Sequence, residues 1–410
     1  MEQDIEAGVE PADRHAGPGG AWPVFLVFVR LGCTSFGGPV AHIGYFHDEF
    51  VRRRRWLSER SFVDLVALCQ VLPGPSSSQV GLAIGMARGG LPGALAAWLG
   101  FTLPSAVALV LFALGLQAWG AAVPAGVLHG LKVVAVAVVA QAVWSMARKL
   151  CTDVPRALVA AATAGAVLLW PASLAQLAAL LVAGALGMAL FRPAPIDASD
   201  ELPVSLGRRT GALLLAAFLL LLLGTPVVLD LWPVHALAVA NAFFRTGSLV
   251  FGGGHVVLPM LQAAVVAPGW VPNESFLAGY GLTQAMPGPL FTFSAFLGAS
   301  MQAPLTGWAG AALCLVSIFL PSFLLVFGAL PFWAGLRTSR RVQAALAGIN
   351  AAVVGLLLAA LWRPVWTSAV FGVADACLAL LALVALMAWR LPPWLVVVLC
   401  AAGGWLIARP

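Results

Sequence analysis

Charge is what this sequence has least of. Of its 410 residues only 22 are Lys or Arg and 16 are Asp or Glu, 9% in all, where a soluble domain carries about 25%. With 61% hydrophobic residues and a mean hydropathy of +0.97, that scarcity excludes an ordinary water-soluble domain and predicts a membrane protein. A spanning helix takes about 20 apolar residues, so there is room for roughly ten crossings. Alternation is missing too. Leu213–Leu223 is an unbroken apolar run, which excludes a transmembrane barrel, whose strands alternate. Paired cysteines are absent: Cys33, Cys69, Cys151, Cys314, Cys377 and Cys400 stand singly, with no C-x-x-C. No disulfide framework and no zinc or iron–sulfur centre is expected. No Gly-rich dinucleotide loop occurs, so neither a cofactor nor an enzyme is expected. A basic-then-apolar leader is also missing, because the start carries Glu2, Asp4, Glu6, Glu10 and Asp13; residues 1–20 read as a disordered cytoplasmic tail. The net charge of +6 sits on arginines at segment ends, as membrane topology requires, so no nucleic-acid partner is expected.

What the sequence does have is itself, twice. Phe28–Pro39 (FVRLGCTSFGGP) matches Phe243–Gly254 (FFRTGSLVFGGG), keeping Arg30/Arg245, Gly32/Gly247 and the Gly-Gly pair. Trp56 with Ser61-Phe62 matches Trp270 with Ser275-Phe276, and Leu68–Pro75 matches Leu282–Pro289 through L-x-Q-x-x-P-G-P. Leu103-Pro104-Ser105 matches Leu320-Pro321-Ser322, and Gly130 with Trp144 matches Gly348 with Trp362. Such internal repeats are the usual construction of secondary transporters.

Positive charge then orients the halves. The segments around Gly37-Gly38-Pro39 and Pro73-Gly74-Pro75 are too short to span on each side of their breaks. Read as re-entrant hairpins, they keep Arg52–Arg55, Arg60 and Arg88 cytoplasmic. Full crossings follow near 91–117, 125–147, 155–170, 172–191 and 210–229, each near the ~20 residues required. Five is odd, so the second half is inverted. Its hairpins enter from outside, where the loops 267–275 and 301–307 carry no Lys or Arg. Four more crossings fall near 308–333, 342–362, 366–389 and 392–408, leaving Arg363 and Arg409 outside against the trend. The expected fold is an all-α polytopic membrane protein: two inverted-topology repeats with re-entrant broken helices and about nine full crossings. The expected division is the tail (1–20), a first repeat (21–191), a linker with one crossing (192–233) and a second, inverted repeat (234–410).

Non-helical backbone at membrane depth is tolerated only where protein packs it or a wet cavity faces it. The broken segments are therefore where chemistry is expected. Pro75 with Ser76 and Ser77 opens a half-helix whose free N–H groups suit an anion, and Pro289 with Thr292 repeats the arrangement. Gln70 and Gln284 precede these breaks, and Gly37, Gly38, Gly252 and Gly253 allow close backbone approach. Arg30 and Arg245, each seven residues before its Gly-Gly pair, cost at least about 2.5 kcal/mol in an apolar helix unless paired or solvated. Their planar donors suit an oxyanion. Lys132 lies mid-segment, with Asp375 as its partner or as a proton carrier. His42, Glu49 and His255 are further candidates for proton uptake. The plainer readings stay open at this point: packing kinks, arginines snorkelling to headgroups, histidines that are simply hydrogen-bonded.

The ordered set F-G-G-P-V-A-H-I-G, E-F-V, Q-x-x-P-G-P-S-S-S-Q, F-G-G-G-H-V-V-L-P and L-T-Q-A-M-P-G-P-L-F-T-F-S resembles the chromate ion transporter family in its long, two-domain form, over about Phe25 to Trp362. The resemblance implies export of chromate from a bacterial cytoplasm across the inner membrane, in exchange for protons, giving chromate resistance. Sulfate or another oxyanion, carried or channelled, is the alternative. It points to Arg30, Gly37, Gly38, Pro39, His42, Glu49, Gln70 and the Pro73–Pro75 break. In the second half it points to Gly252, Gly253, Gly254, Gln284 and the Pro287–Pro289 break. Gly254 stands where the first half has Pro39, so the two sites need not be equivalent. The partners implied are the anion, protons and the lipid bilayer. Two repeats in one chain can form a complete unit, and a homodimer stays open.

Overall fold

Apolar runs of helical length, punctuated by Gly and Pro, set the architecture. A computed structural model describes residues 20–119, 124–170, 173–192, 206–250, 257–302, 304–333, 335 and 339–407. The acidic tail, much of the linker and residues 251–256, which include Gly252, Gly253 and His255, lie outside the described residues. Among the described residues every regular element is helical, and five helices are long and apolar enough to cross a membrane.

In the first half α1 (Ala21–Thr34) stops at the Gly37-Gly38 break, and α2 (Gly38–His47) runs on into a π-helical turn, Asp48–Arg53. Gly37 and Gly38 have φ of +97° and +76°, a region that side chains with a Cβ rarely enter. Ser58 caps α3 (Glu59–Val71) by accepting the Ser61 amide at 3.1 Å. Next, α4 (Ser76–Trp119) is two helices in one, broken where Gly89 and Gly90 leave helical geometry. That break follows Arg88, where the charge pattern ends the first hairpin and begins a crossing. Gly85 and Gly93 then meet backbone to backbone, so no side chain fits at either. Gly298 and Gly310 do the same in the second half.

Helices α5 (Ala125–Leu150), α6 (Val154–Leu169), α7 (Ser173–Leu190) and α8 (Arg208–Leu231) complete the first series. The second runs through α9 (His235–Leu249), α10 (Val257–Val265), α11 (Asn273–Thr283), a 3-10 turn (Leu290–Thr292), α12 (Phe293–Ser300), α13 (Gly307–Ala329), α14 (Arg340–Ala360), α15 (Val373–Met387) and α16 (Pro393–Ile407). One expected crossing is shorter than its hydrophobic run. In place of a helix over 366–389, a π-helical turn (Leu361–Trp366) with Arg363 extended and a single turn at Thr367–Ala369 precede α15. Pro364 and Gly372 punctuate the segment and account for this.

The halves interlock. Gly126 and Gly130 of α5 pack on Cys400 and Gly404 of α16, while Ala344 and Gly348 of α14 pack on Ala183 and Gly187 of α7. Helices α4 and α13 run antiparallel to each other. Leu114 and Gln117 of α4 meet Gly307 and Ala299, whereas Trp98 lies against Phe319 and Phe323 of α13. The core holds two aromatic groups: Phe28, Phe46, Phe50 and Phe101 under the first hairpin, and Phe276, Phe291, Phe293, Phe296 and Phe319, all fully buried, in the second half. Outside, α8 turns Leu213, Leu220 and Leu223 outward, each at least 67% exposed; such a surface suits lipid and not water. Exposed tryptophans Trp22, Trp170, Trp232, Trp308, Trp362 and Trp389 cluster at helix ends, the depth at which amphipathic rings meet headgroups.

Candidate functional site

The two broken segments hold each other closed. The amide of Gly288 donates to the carbonyl of Ser35 at 2.8 Å, and the amide of Gly74 donates to the carbonyl of Val250 at 2.7 Å. Ser35 and Val250 are equivalent positions in the repeats, as are Gly74 and Gly288, so each Pro-Gly-Pro turn satisfies the broken backbone of the other half. Unpaired, these groups would cost several kcal/mol apiece in hydrocarbon. The fit depends on glycine. Gly74 has φ +120° and Gly288 +91°; a Cβ at Gly74 would lie 2.9 Å from Ser322 Oγ, and one at Gly288 3.0 Å from Ser105 Oγ, again equivalent serines.

His42 reinforces the first of these contacts. It is buried on α2, with Nε2 3.1 Å from the Ser35 carbonyl and Nδ1 3.3 Å from Ser77 Oγ. A carbonyl can only accept, so Nε2 carries the proton and the neutral ring leaves Nδ1 to accept from the Ser77 hydroxyl. The Ser35 carbonyl therefore takes two donors, one from each half.

Beside the clasp is a cavity of about 200 Å³, lined by Gly37, Gly38, Gln141, Thr283, Gln284, Gly288 and Arg390 together with apolar side chains. Its polar wall is rich in donors. The start of α2 is here, where the amides of Gly37 and Gly38 have no helical acceptor, although Pro39 has no N–H to offer. Gln284 Nε2 is buried without a hydrogen-bond partner. Arg390, in the turn between α15 and α16, is held at φ +53°, an uncommon conformation for a residue with a Cβ. None of the described lining residues is acidic. A donor-rich, acid-free cavity suits a small oxyanion.

Of the expected site residues, Gly37, Gly38 and Gln284 line this cavity. His42, Pro75 and Ser77 are buried close by in sequence or by hydrogen bond, and Ser76 is half-buried. Gln70 ends α3 exposed. Pro289 is buried ahead of the 3-10 turn, and the Thr292 hydroxyl donates to its carbonyl at 2.7 Å, so that hydroxyl proton is already used. Neither arginine of the matched pair lines the cavity: Arg30 shares an exposed stripe of α1 with Trp22 and Leu26, and Arg245 is half-buried on α9. Lys132 is buried and its Nζ lies 3.3 Å from Glu274 Oε1. This corrects the expected pairing with Asp375, which instead faces His129 at 2.8 Å.

Glu49 is paired as well, 2.6 Å from Arg54 Nε and 3.0 Å from Arg53. Burial pushes its carboxyl up, but the hydrogen bonds and charges of Arg54 and Arg53 outweigh that and hold it below the usual glutamate value. The basic run is thus partly tied down, with Arg54 and Arg88 both over the Trp56 ring. Sequence reasoning missed Gln141, which carries no local signal, and Arg390, which looks like any other arginine at a helix end.

A family model described as chromate transporter matches residues 22–188 and 237–405. The chromate transport protein of Pseudomonas aeruginosa is 29% identical over 94% of this chain and 92% of its own length. The probable chromate transport protein of Synechococcus elongatus is 27% identical, covering 81% of each chain. The chromate transport protein of Cupriavidus metallidurans is 26% identical over 82% of this chain and 80% of its own. No solved structure matches.

Proposed function

This chain belongs to the chromate transporter family, and on that premise we propose that it carries chromate out of a bacterial cytoplasm across the inner membrane, in exchange for protons, and so confers chromate resistance. The observation that carries the reading is the donor-lined cavity at the place where the broken segments of both repeats meet. Chromate would sit against the free amides at the start of α2 and the Gln284 amide, with the Arg390 guanidinium at the edge. Arg30 and Arg245, equivalent in the repeats, lie off the cavity and are not assigned to this resting site. His42 holds the clasp as a neutral ring between the Ser35 carbonyl and the Ser77 hydroxyl.

Direction follows from charge. With the cell interior negative, a dianion leaving gains about 4.6 kcal/mol per 100 mV, twice the ~2.3 of a unit charge, so export needs little coupling and import a good deal. An inverted arrangement is supported by the opposite directions of α4 and α13. It is supported also by the meetings of segments that this topology puts outside: Gln117 with Ala299, Asn273 with Ser368, and Lys132 with Glu274. Rocking of the two halves about the clasp would expose the cavity alternately.

Everted membrane vesicles test the reading: chromate should accumulate with saturation, and unlabelled chromate should compete better than sulfate. Equal competition would make the protein a general oxyanion carrier, and absence of uptake would overturn the export reading.

A further inference from the structure

Away from the cavity, a histidine–carboxylate pair joins the two halves. His129, in the second turn of α5, has Nε2 2.8 Å from Asp375 Oδ1 in the first turn of α15. The side chains are 19% and 8% exposed. The second carboxylate oxygen accepts the Phe371 amide at 2.9 Å, and the imidazole stacks on the Phe371 ring. Capping α15 would need the carboxylate alone; it does not explain a histidine supplied by the other half. Nor do the repeats require one, because Ala347 stands at the equivalent position of α14.

Both helices lead from this pair to the cavity. Val138 and Gln141 follow His129 on α5 by 9 and 12 residues, and Leu386 follows Asp375 on α15 by 11, distances of about 13 to 18 Å along a helix. A change in attraction at one end of α5 and α15 therefore alters their separation where they form the cavity wall.

We propose that His129 and Asp375 are the proton-binding pair of this transporter and that its protonation state sets the shape of the cavity through α5 and α15. This rests on the proton-exchange reading above. Asp375 occupies Nε2, so the proton adds to and leaves from Nδ1. The imidazolium–carboxylate pair so formed is charge-assisted and draws α5 and α15 together; the neutral imidazole holds the carboxylate less strongly. Among the described residues the surrounding charges are few. On α5 and α11, Lys132 and Glu274 form their own pair; the π-helical turn against α5 brings Arg363, exposed. Cys377 of α15 is exposed, and Cys400 of α16 is buried against Gly130.

The test uses the full chain in proteoliposomes. Chromate counterflow without a pH gradient and chromate efflux with one are measured for the native protein, H129Q, D375N and the exchanged pair H129D/D375H. The proposal expects a pH gradient to speed the native protein, both single variants to keep counterflow while losing that response, and the exchanged pair to regain part of it. A response that persists in H129Q overturns the pair alone. Loss of counterflow in both single variants assigns the pair a structural role and overturns it too. A native protein indifferent to the gradient overturns proton exchange itself, and the pair with it.

Discussion

Gly288 donates its amide to the Ser35 carbonyl at 2.8 Å across the boundary between the two repeats, and Gly74 repeats the contact in reverse on Val250. The consequence is a pair of turns that cannot relax independently. Alanine at either glycine must hold a positive φ, at about 1–3 kcal/mol. Gly74→Ala adds two contacts under 3.0 Å, to Gln79 Nε2 and Ser322 Oγ, where Gly288→Ala meets Ser105 Oγ at 3.0 Å. Gly74→Ala is expected to lower the melting temperature in detergent more than Gly288→Ala, and both should slow transport. Thermal unfolding of the two purified variants checks the order.

The Lys132–Glu274 contact is lopsided: the lysine side chain is 11% exposed and the glutamate 84%. Removing the lysine leaves a carboxylate already in solvent, whereas removing the carboxylate leaves a buried ammonium without its partner. Glu274→Ala should therefore destabilise by about 1–3 kcal/mol, the penalty of stranding a buried polar group, while Lys132→Met should cost less. Denaturation of both variants against the native protein measures the difference.

Glu49 gives a pH dependence with a definite sign. Its folded pKa lies below the ordinary glutamate value, so its pairing with Arg53 and Arg54 stabilises the fold above the unfolded pKa, about 4.3. That contribution is lost as pH falls through the folded pKa. Melting temperature between pH 3 and 6 should fall less steeply in Glu49→Gln than in the native protein. An unchanged acid limb would show that the pair carries no folding energy.

The inverted arrangement proposed above predicts opposite sides for equivalent loops. In a chain freed of its exposed cysteines Cys33 and Cys377, new cysteines at Arg54 and Asn273 should be labelled by an impermeant thiol reagent from opposite faces of the membrane. Labelling of both from one face would make the repeats parallel.

Much of the helix plan was legible because Gly and Pro punctuate it. The breaks at Gly37-Gly38 and Pro73-Gly74-Pro75, and the end of the first hairpin at Arg88, lie where charge and helix breakers place them. Long-range pairing was not legible. Nothing local says that Gly288 reaches Ser35, or that Lys132 meets Glu274 and not Asp375, since both acids are remote in sequence. Arg30 and Arg245 stood out because an arginine in an apolar helix is costly, but cost does not say which face the side chain takes, and neither lines the cavity. Arg390 does line it, and sequence pattern hid it among the arginines that mark topology.

The central claim is that the anion rests between the two breaks, on Gln284 and Arg390. Calorimetric titration of chromate into the purified protein and its Arg390→Ala and Gln284→Leu variants tests it most directly. Each substitution should weaken binding by about tenfold or more, the ~1.5–3 kcal/mol of a hydrogen bond to a charged group, with the melting temperature preserved. Native affinity in both variants would contradict the account.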